Sequence, residues 1–112
     1  MMTDRRRFAP EVVQNTTPKL AEITDLVLFG DVWARPELSP RDRSLITVAA
    51  LVVSERDRQL PGHLRRALDN GVTADELREV ITHLAFYAGW PPAVTATEIL
   101  AAVLDDSAGS AG

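Results

Sequence analysis

Between Lys19 and Leu104 the apolar residues recur at helical spacing, so the chain reads as a succession of helices. Leu20, Ile23, Leu26 and Val27 predict a first helix over about 19–29, with Gly30 as its stop signal. An irregular segment follows over 31–36. Ser39-Pro40-Arg41-Asp42 then opens a second helix that runs to about Ser54. Ser39 suits an N-cap, Pro40 suits the first helical position, and Asp42 adds negative charge to the first turn. The stretch Leu45–Val53 is apolar on nearly every side. A helix of that kind is buried all round, which in so short a chain predicts that a partner subunit covers one side. A third helix spans about 60–70 and ends at Gly71. Thr73 and Glu76 form a capping box that opens a fourth, striped by Leu77, Val80, Ile81, Leu84 and Ala88. Gly89-Trp90-Pro91-Pro92 breaks it, and a fifth runs over about 93–104. No alternating strand pattern is present. The expectation is an all-α fold, one small domain of five to six helices over residues 18–106. Residues 1–17 read as a flexible arm and 107–112 as a flexible tail.

Composition narrows the function classes. A chain of 112 residues with 46% hydrophobic residues can build one core. The net charge of -4 argues against nucleic acid as a partner, because phosphate binding calls for a basic surface. There is no cysteine, which excludes disulfides, thiolate metal ligands and thiol redox chemistry. No apolar run reaches about 18 residues, so no membrane span is expected. The basic residues Arg5, Arg6 and Arg7 precede a Pro/Asn/Thr stretch rather than an apolar one, so no secretory leader is expected and the cytoplasm is the default location.

Few residues can carry chemistry. His63 follows Pro61-Gly62, where a sharp backbone turn would aim it into a cleft; the plainer reading is a hydrogen-bonded residue at a helix start. His83 stands between Glu79 and Tyr87 at i, i+4 spacing, a column that would line a cleft, an interface or a boundary hydrogen-bond cluster. Metal is not expected: Glu79, His83 and His63 lack the spacing of a metal motif. Phosphate loops and nucleophile elbows are also missing. Arg35, beside Trp33, and Arg43, in the first turn of an apolar helix, would pair either an internal carboxylate or a substrate carboxylate.

Two long segments carry a resemblance. Gly30-Asp-Val-Trp33-Ala-Arg35-Pro36-Glu-Leu38-Ser-Pro-Arg-Asp42-Arg43-Ser44-Leu45-Ile-Thr-Val-Ala49 resembles the front half of carboxymuconolactone decarboxylases. His63-Leu-x-x-Ala67-Leu-x-Asn70-Gly71-Val-Thr73-x-x-Glu76-Leu-x-Glu79-Val-Ile-x-His83-x-Ala-x-Tyr87-Ala88-Gly89-Trp90-Pro91 resembles the back half. The resemblance implies an alkylhydroperoxidase-D-like helical fold that self-associates as a trimer or hexamer. It also implies a cofactor-independent decarboxylase of a small carboxylated lactone. The family's named reaction converts γ-carboxymuconolactone to β-ketoadipate enol-lactone and CO2 in aromatic catabolism. The peroxidase branch of that superfamily places a C-x-x-C pair upstream of its histidine. Arg56 and Gln59 stand there, and Ser44 stands where that branch has a glutamate, so thiol peroxidase activity is not expected. Carried onto this chain, the resemblance makes His63 the acid or enolate stabiliser and Arg43 and Arg35 the carboxylate binders. Trp33, Tyr87 and Trp90 would form pocket wall. Glu79, His83 and Ser44 would support the site or hold subunits together. The competing expectation is a non-catalytic oligomeric module that binds a small acid or a partner helix.

Overall fold

The computed structural model describes residues 5–111, with side chains through Ser107. Every regular element among the described residues is helical. The chain divides into two compact units, residues 1–40 and 41–112.

The first unit holds α1 (Glu11–Thr16), α2 (Pro18–Ile23), a π-helical turn (Thr24–Leu28) and a 3₁₀ turn (Val32–Ala34). One continuous helix was expected over 19–29. The chain instead widens after Ile23, and the Phe29 N–H reaches back five residues to the Thr24 carbonyl at 3.0 Å. A wider turn accommodates an extra residue. Asp25 lies inside this turn and is buried, while Leu26, Val27 and Leu28 are exposed. Gly30 closes it at short range: a Cβ there would lie 2.6 Å from the Leu26 carbonyl oxygen.

Residues 1–4 lie outside the described part, but the rest of the expected arm is structured. α1 buries no residue, so it left no apolar stripe in the sequence. It is tied down by polar bonds. Asp25 accepts the backbone N–H groups of Phe8 (2.8 Å) and Ala9 (2.9 Å) and the Gln14 side-chain amide (3.0 Å). Arg5 pairs with the same carboxylate at 3.0 Å. Burial alone would raise the Asp25 pKa. The hydrogen bonds from Gln14, Ala9 and Phe8, with the Arg5 charge, outweigh burial and hold it at about 2. Phe8 stacks on Phe29 at 4.9 Å, and Phe29 meets Trp33 at 5.5 Å.

The second unit holds α3 (Pro40–Val53), α4 (Leu60–Asp69), α5 (Ala74–Ala88) and α6 (Trp90–Ala111). α6 packs against α5 and α4. Val48 and Val52 of α3, Leu60 and Leu64 of α4, Leu77 and Ile81 of α5, and Leu100 and Val103 of α6 meet in one core. α3 ends with the Arg56 N–H on the Leu51 carbonyl (2.9 Å) and the Glu55 N–H on that of Val52 (3.2 Å). That ending needs a left-handed residue, and Glu55 supplies it at φ 56°. The capping box before α5 is present: the Glu76 N–H donates to the Thr73 hydroxyl at 3.0 Å, and the Thr73 N–H donates to the Glu76 carboxylate at 2.9 Å.

Two boundaries differ from expectation. The break before the last helix is a single residue, Gly89, at φ +100°. Pro91 and Pro92 begin α6 instead of interrupting the chain, because the first helical turn needs no N–H donors. At the other end α6 continues through Ala111, over much of the expected tail; Gly112 lies outside the described part.

Candidate functional site

α3 separates two surfaces of different chemistry. Ser44 is 1% exposed and accepts a hydrogen bond from the Asn70 side chain of α4 at 3.0 Å. Asn70, Arg66 and His63 recur at i, i+4 and i+7 counted backwards, so they share one edge of α4 beside its buried face of Leu60, Leu64 and Ala67. Arg43 and Thr47 extend the polar side of α3, and the Thr47 hydroxyl donates to the Arg43 carbonyl at 2.7 Å. Together these residues form a polar seam between α3 and α4.

His63 is half-buried in this seam, and its Nδ1 is out of reach of solvent. Burial first, and then the Arg66 charge, push its pKa below the ordinary histidine value. At neutral pH its ring is therefore predominantly the uncharged imidazole, which still carries one N–H donor. The sharp turn expected at Gly62 is absent. Gly62 lies inside α4 with open space around its Cα, and the His63 N–H follows the helical pattern to the Gln59 carbonyl at 3.4 Å. His63 is presented by the first turn of a regular helix.

The other side of α3 faces α5 across an open groove of about 490 Å3. Leu45, Ile46 and Ala49 form one wall, and Val80 and Leu84 the other. The polar groups in it are Glu76, Glu79 and His83. Glu76 is already engaged by its capping box and by Arg41. The Thr73 N–H, then the Arg41 charge, hold its pKa below the ordinary glutamate value against the upward push of burial. The expected column along α5 is present, with the rings of His83 and Tyr87 5.0 Å apart.

The residues marked out in the sequence thus fall in three places. Trp33 and Arg35 belong to the first unit, where Arg35 approaches Glu37 at 3.6 Å. His63, Arg43 and Ser44 belong to the polar seam. Glu79 and His83 belong to the apolar groove, with Tyr87 next along the helix. Trp90 lines a second groove of about 310 Å3 between α5 and α6, beside Phe86 and Val94. Sequence reasoning passed over three residues. Arg66 and Asn70 carried a signal in their spacing from His63. Arg41 carried none, because its partner Glu76 is 35 positions away. No group of three or more His, Asp or Glu among the described residues could hold a metal ion, and no described helix is long and apolar enough to cross a membrane.

A family profile for the carboxymuconolactone decarboxylase family matches residues 18–102. The chain belongs to the carboxymuconolactone decarboxylase family. It is 44% identical over 78 residues to 4-carboxymuconolactone decarboxylase from Acinetobacter baylyi, an alignment covering 70% of this chain and 58% of that relative. It is 31% identical over 102 residues to nitrosuccinic acid decarboxylase from Metarhizium robertsii, covering 88% of this chain and 71% of the relative. A third relative, peroxisomal protein 2 of Schizosaccharomyces pombe, is 36% identical over 66 residues, which is 58% of this chain and 31% of that protein. The match to the bacterial relative thus spans little more than half of that protein's length.

Proposed function

We propose that this family member is a cofactor-independent decarboxylase of a small acid bearing more than one carboxylate, with 4-carboxymuconolactone as the first substrate to try. The observation that carries the reading is the edge of α4, where a half-buried imidazole held below its ordinary pKa stands one turn from a guanidinium. The two decarboxylase relatives support the reaction class.

Loss of CO2 breaks a C–C bond and leaves an electron pair on the substrate. In a carboxylated lactone that pair delocalises toward the ring carbonyl and forms an enolate. An imidazole N–H aimed at the enolate oxygen stabilises it without needing to ionise. The depressed pKa decides between the two roles expected for His63: it favours the hydrogen-bond donor over the charged acid. The proton that completes the product then comes from water. Arg66 and Arg43 hold the substrate carboxylates, for which planar guanidinium groups are suited. The α3–α5 groove is the poorer place for such a substrate, since a dianion would meet Glu79 there. The same reading has the chain self-associate, because large apolar side chains remain exposed along α3, α5 and α6.

Release of CO2 from 4-carboxymuconolactone tests the reading. His63→Ala is expected to cost about 100- to 1,000-fold in kcat, the usual loss of one oxyanion donor. His63→Gln, which keeps an N–H, should retain more activity than His63→Ala. Binding of dicarboxylates without any turnover would overturn the enzyme and leave a binding module. Equal activity of His63→Ala and the parent would move the chemistry elsewhere.

A further inference from the structure

The exposed face of α5 carries features that the proposed chemistry does not use. Glu79 and His83 stand one turn apart in the apolar groove, and neither makes a hydrogen bond or ion pair with another described side chain. Beyond them the same face rises into an aromatic ridge. Phe86 is 74% exposed, Tyr87 76% and Trp90 58%. The Phe86 and Trp90 rings pack edge to face at 5.3 Å, and Tyr87 lies against His83. Ile46 on the groove's far wall is 60% exposed, and Val94 beside Trp90 is 51% exposed. Groove and ridge therefore form one continuous apolar surface along one helix, whereas a monomer rarely leaves so large an apolar patch in water.

We propose that this surface is occupied by a second copy of the same chain, with the two α5 helices packed antiparallel about a two-fold axis. The inference rests on the self-association in the reading above and gives it a location. The charges select the occupant. An acid and an imidazole one turn apart are self-complementary when the helix is reversed: Glu79 of one copy faces His83 of the other, and the reverse holds across the axis. A parallel pairing in register would oppose Glu79 to Glu79. An unrelated apolar partner would leave the carboxylate of Glu79 buried without a donor, which is costly. An interface that places one patch on itself is of the isologous kind. Tyr and Trp are also the side chains that most often anchor such contacts.

Light scattering on the chain and on Phe86→Ser/Trp90→Ser is the first test. Both positions are exposed, and circular dichroism checks that the variant stays folded. The parent should be an oligomer, and the variant should have a lower mass. The absence of cysteine makes a second test clean. Glu79→Cys and His83→Cys chains are prepared separately, mixed and oxidised. The mixture should form a disulfide-linked pair more readily than either variant alone. A parent of monomer mass would overturn self-association and this interface together. An oligomer unchanged by Phe86→Ser/Trp90→Ser would leave self-association standing and overturn its location on α5. Faster crosslinking of Glu79→Cys with itself would overturn the antiparallel arrangement.

Discussion

In residues 5–40 the buried side chains are two alanines, Ala9 and Ala21, and one carboxylate, Asp25. In residues 41–111 they are the valines, leucines and alanines of four helices, with Ser44 as the polar exception. The first unit is organised by directed bonds that converge on a single group. The second is organised by apolar area, which has no preferred direction and is shared among many residues. The two arrangements should therefore fail differently. A core loses a fraction of its stability with each methyl group removed. A converging polar centre loses its partners together.

The largest effect belongs to the second unit. Leu64 has no exposed surface, and Leu64→Ala should lower unfolding stability by about 2–5 kcal/mol through lost burial and a residual cavity. Chemical denaturation followed by circular dichroism measures it; a loss under about 1 kcal/mol would mean that this core repacks freely. Asp25→Ala is the matching change in the first unit. It should speed amide hydrogen exchange at Phe8 and Ala9 by roughly ten- to a hundredfold, the scale expected when bonds to a charged acceptor are removed. Unchanged exchange at these two amides would show that the carboxylate is not what secures the segment.

Acid sharpens the same contrast. The folded pKa of Asp25, about 2, lies below the ordinary carboxylate value of 3.8. A depressed pKa makes the group's contribution complete above the ordinary value and progressively lost as pH falls toward the folded one. Protection of the Phe8 and Ala9 amides should therefore hold at pH 5 and above and decline between about pH 4 and 2. A decline centred near neutral pH would point to a different group. The smallest effect is expected at the end of α3. Glu55 occupies a left-handed conformation that glycine adopts without strain, so Glu55→Gly should stabilise by up to about 1 kcal/mol, read as a shift in thermal midpoint. A clear loss of stability would show that the Glu55 side chain makes up for its strained backbone.

The same contrast explains what the sequence makes legible. Helices that bury an apolar stripe announce themselves by spacing, so α3, α4 and α5 fall where the pattern predicts. The Thr73/Glu76 capping box is visible because all of its parts lie within four residues. α1 is silent because it buries nothing. The π turn is silent because its cause, Asp25 bonded to Phe8, Ala9 and Gln14, is a long-range polar arrangement with no period. In the polar seam, His63 and Arg43 stand out by residue type. Arg66 and Asn70 do not, since their part depends on lying beside Ser44 and on the half-burial of His63. Pro91-Pro92 misleads for a related reason: proline reads as a break, yet it costs nothing in a first helical turn.

The wide turn at Thr24–Leu28 also bears on how this chain can change in length. Its three outermost side chains, Leu26, Val27 and Leu28, are exposed, and surface positions usually tolerate deletion. Here the backbone count matters more than the side chains. Removing one residue would let the segment relax to ordinary α-helical winding, and each residue of such a helix advances about 100° around its axis. Everything after the cut would be rotated by that amount relative to Asp25. Phe29 would turn away from Phe8, and Gly30 would no longer fall where the Leu26 carbonyl leaves no room for a Cβ. Substitutions of the three exposed residues should be easy to accept, while a one-residue deletion among them should not.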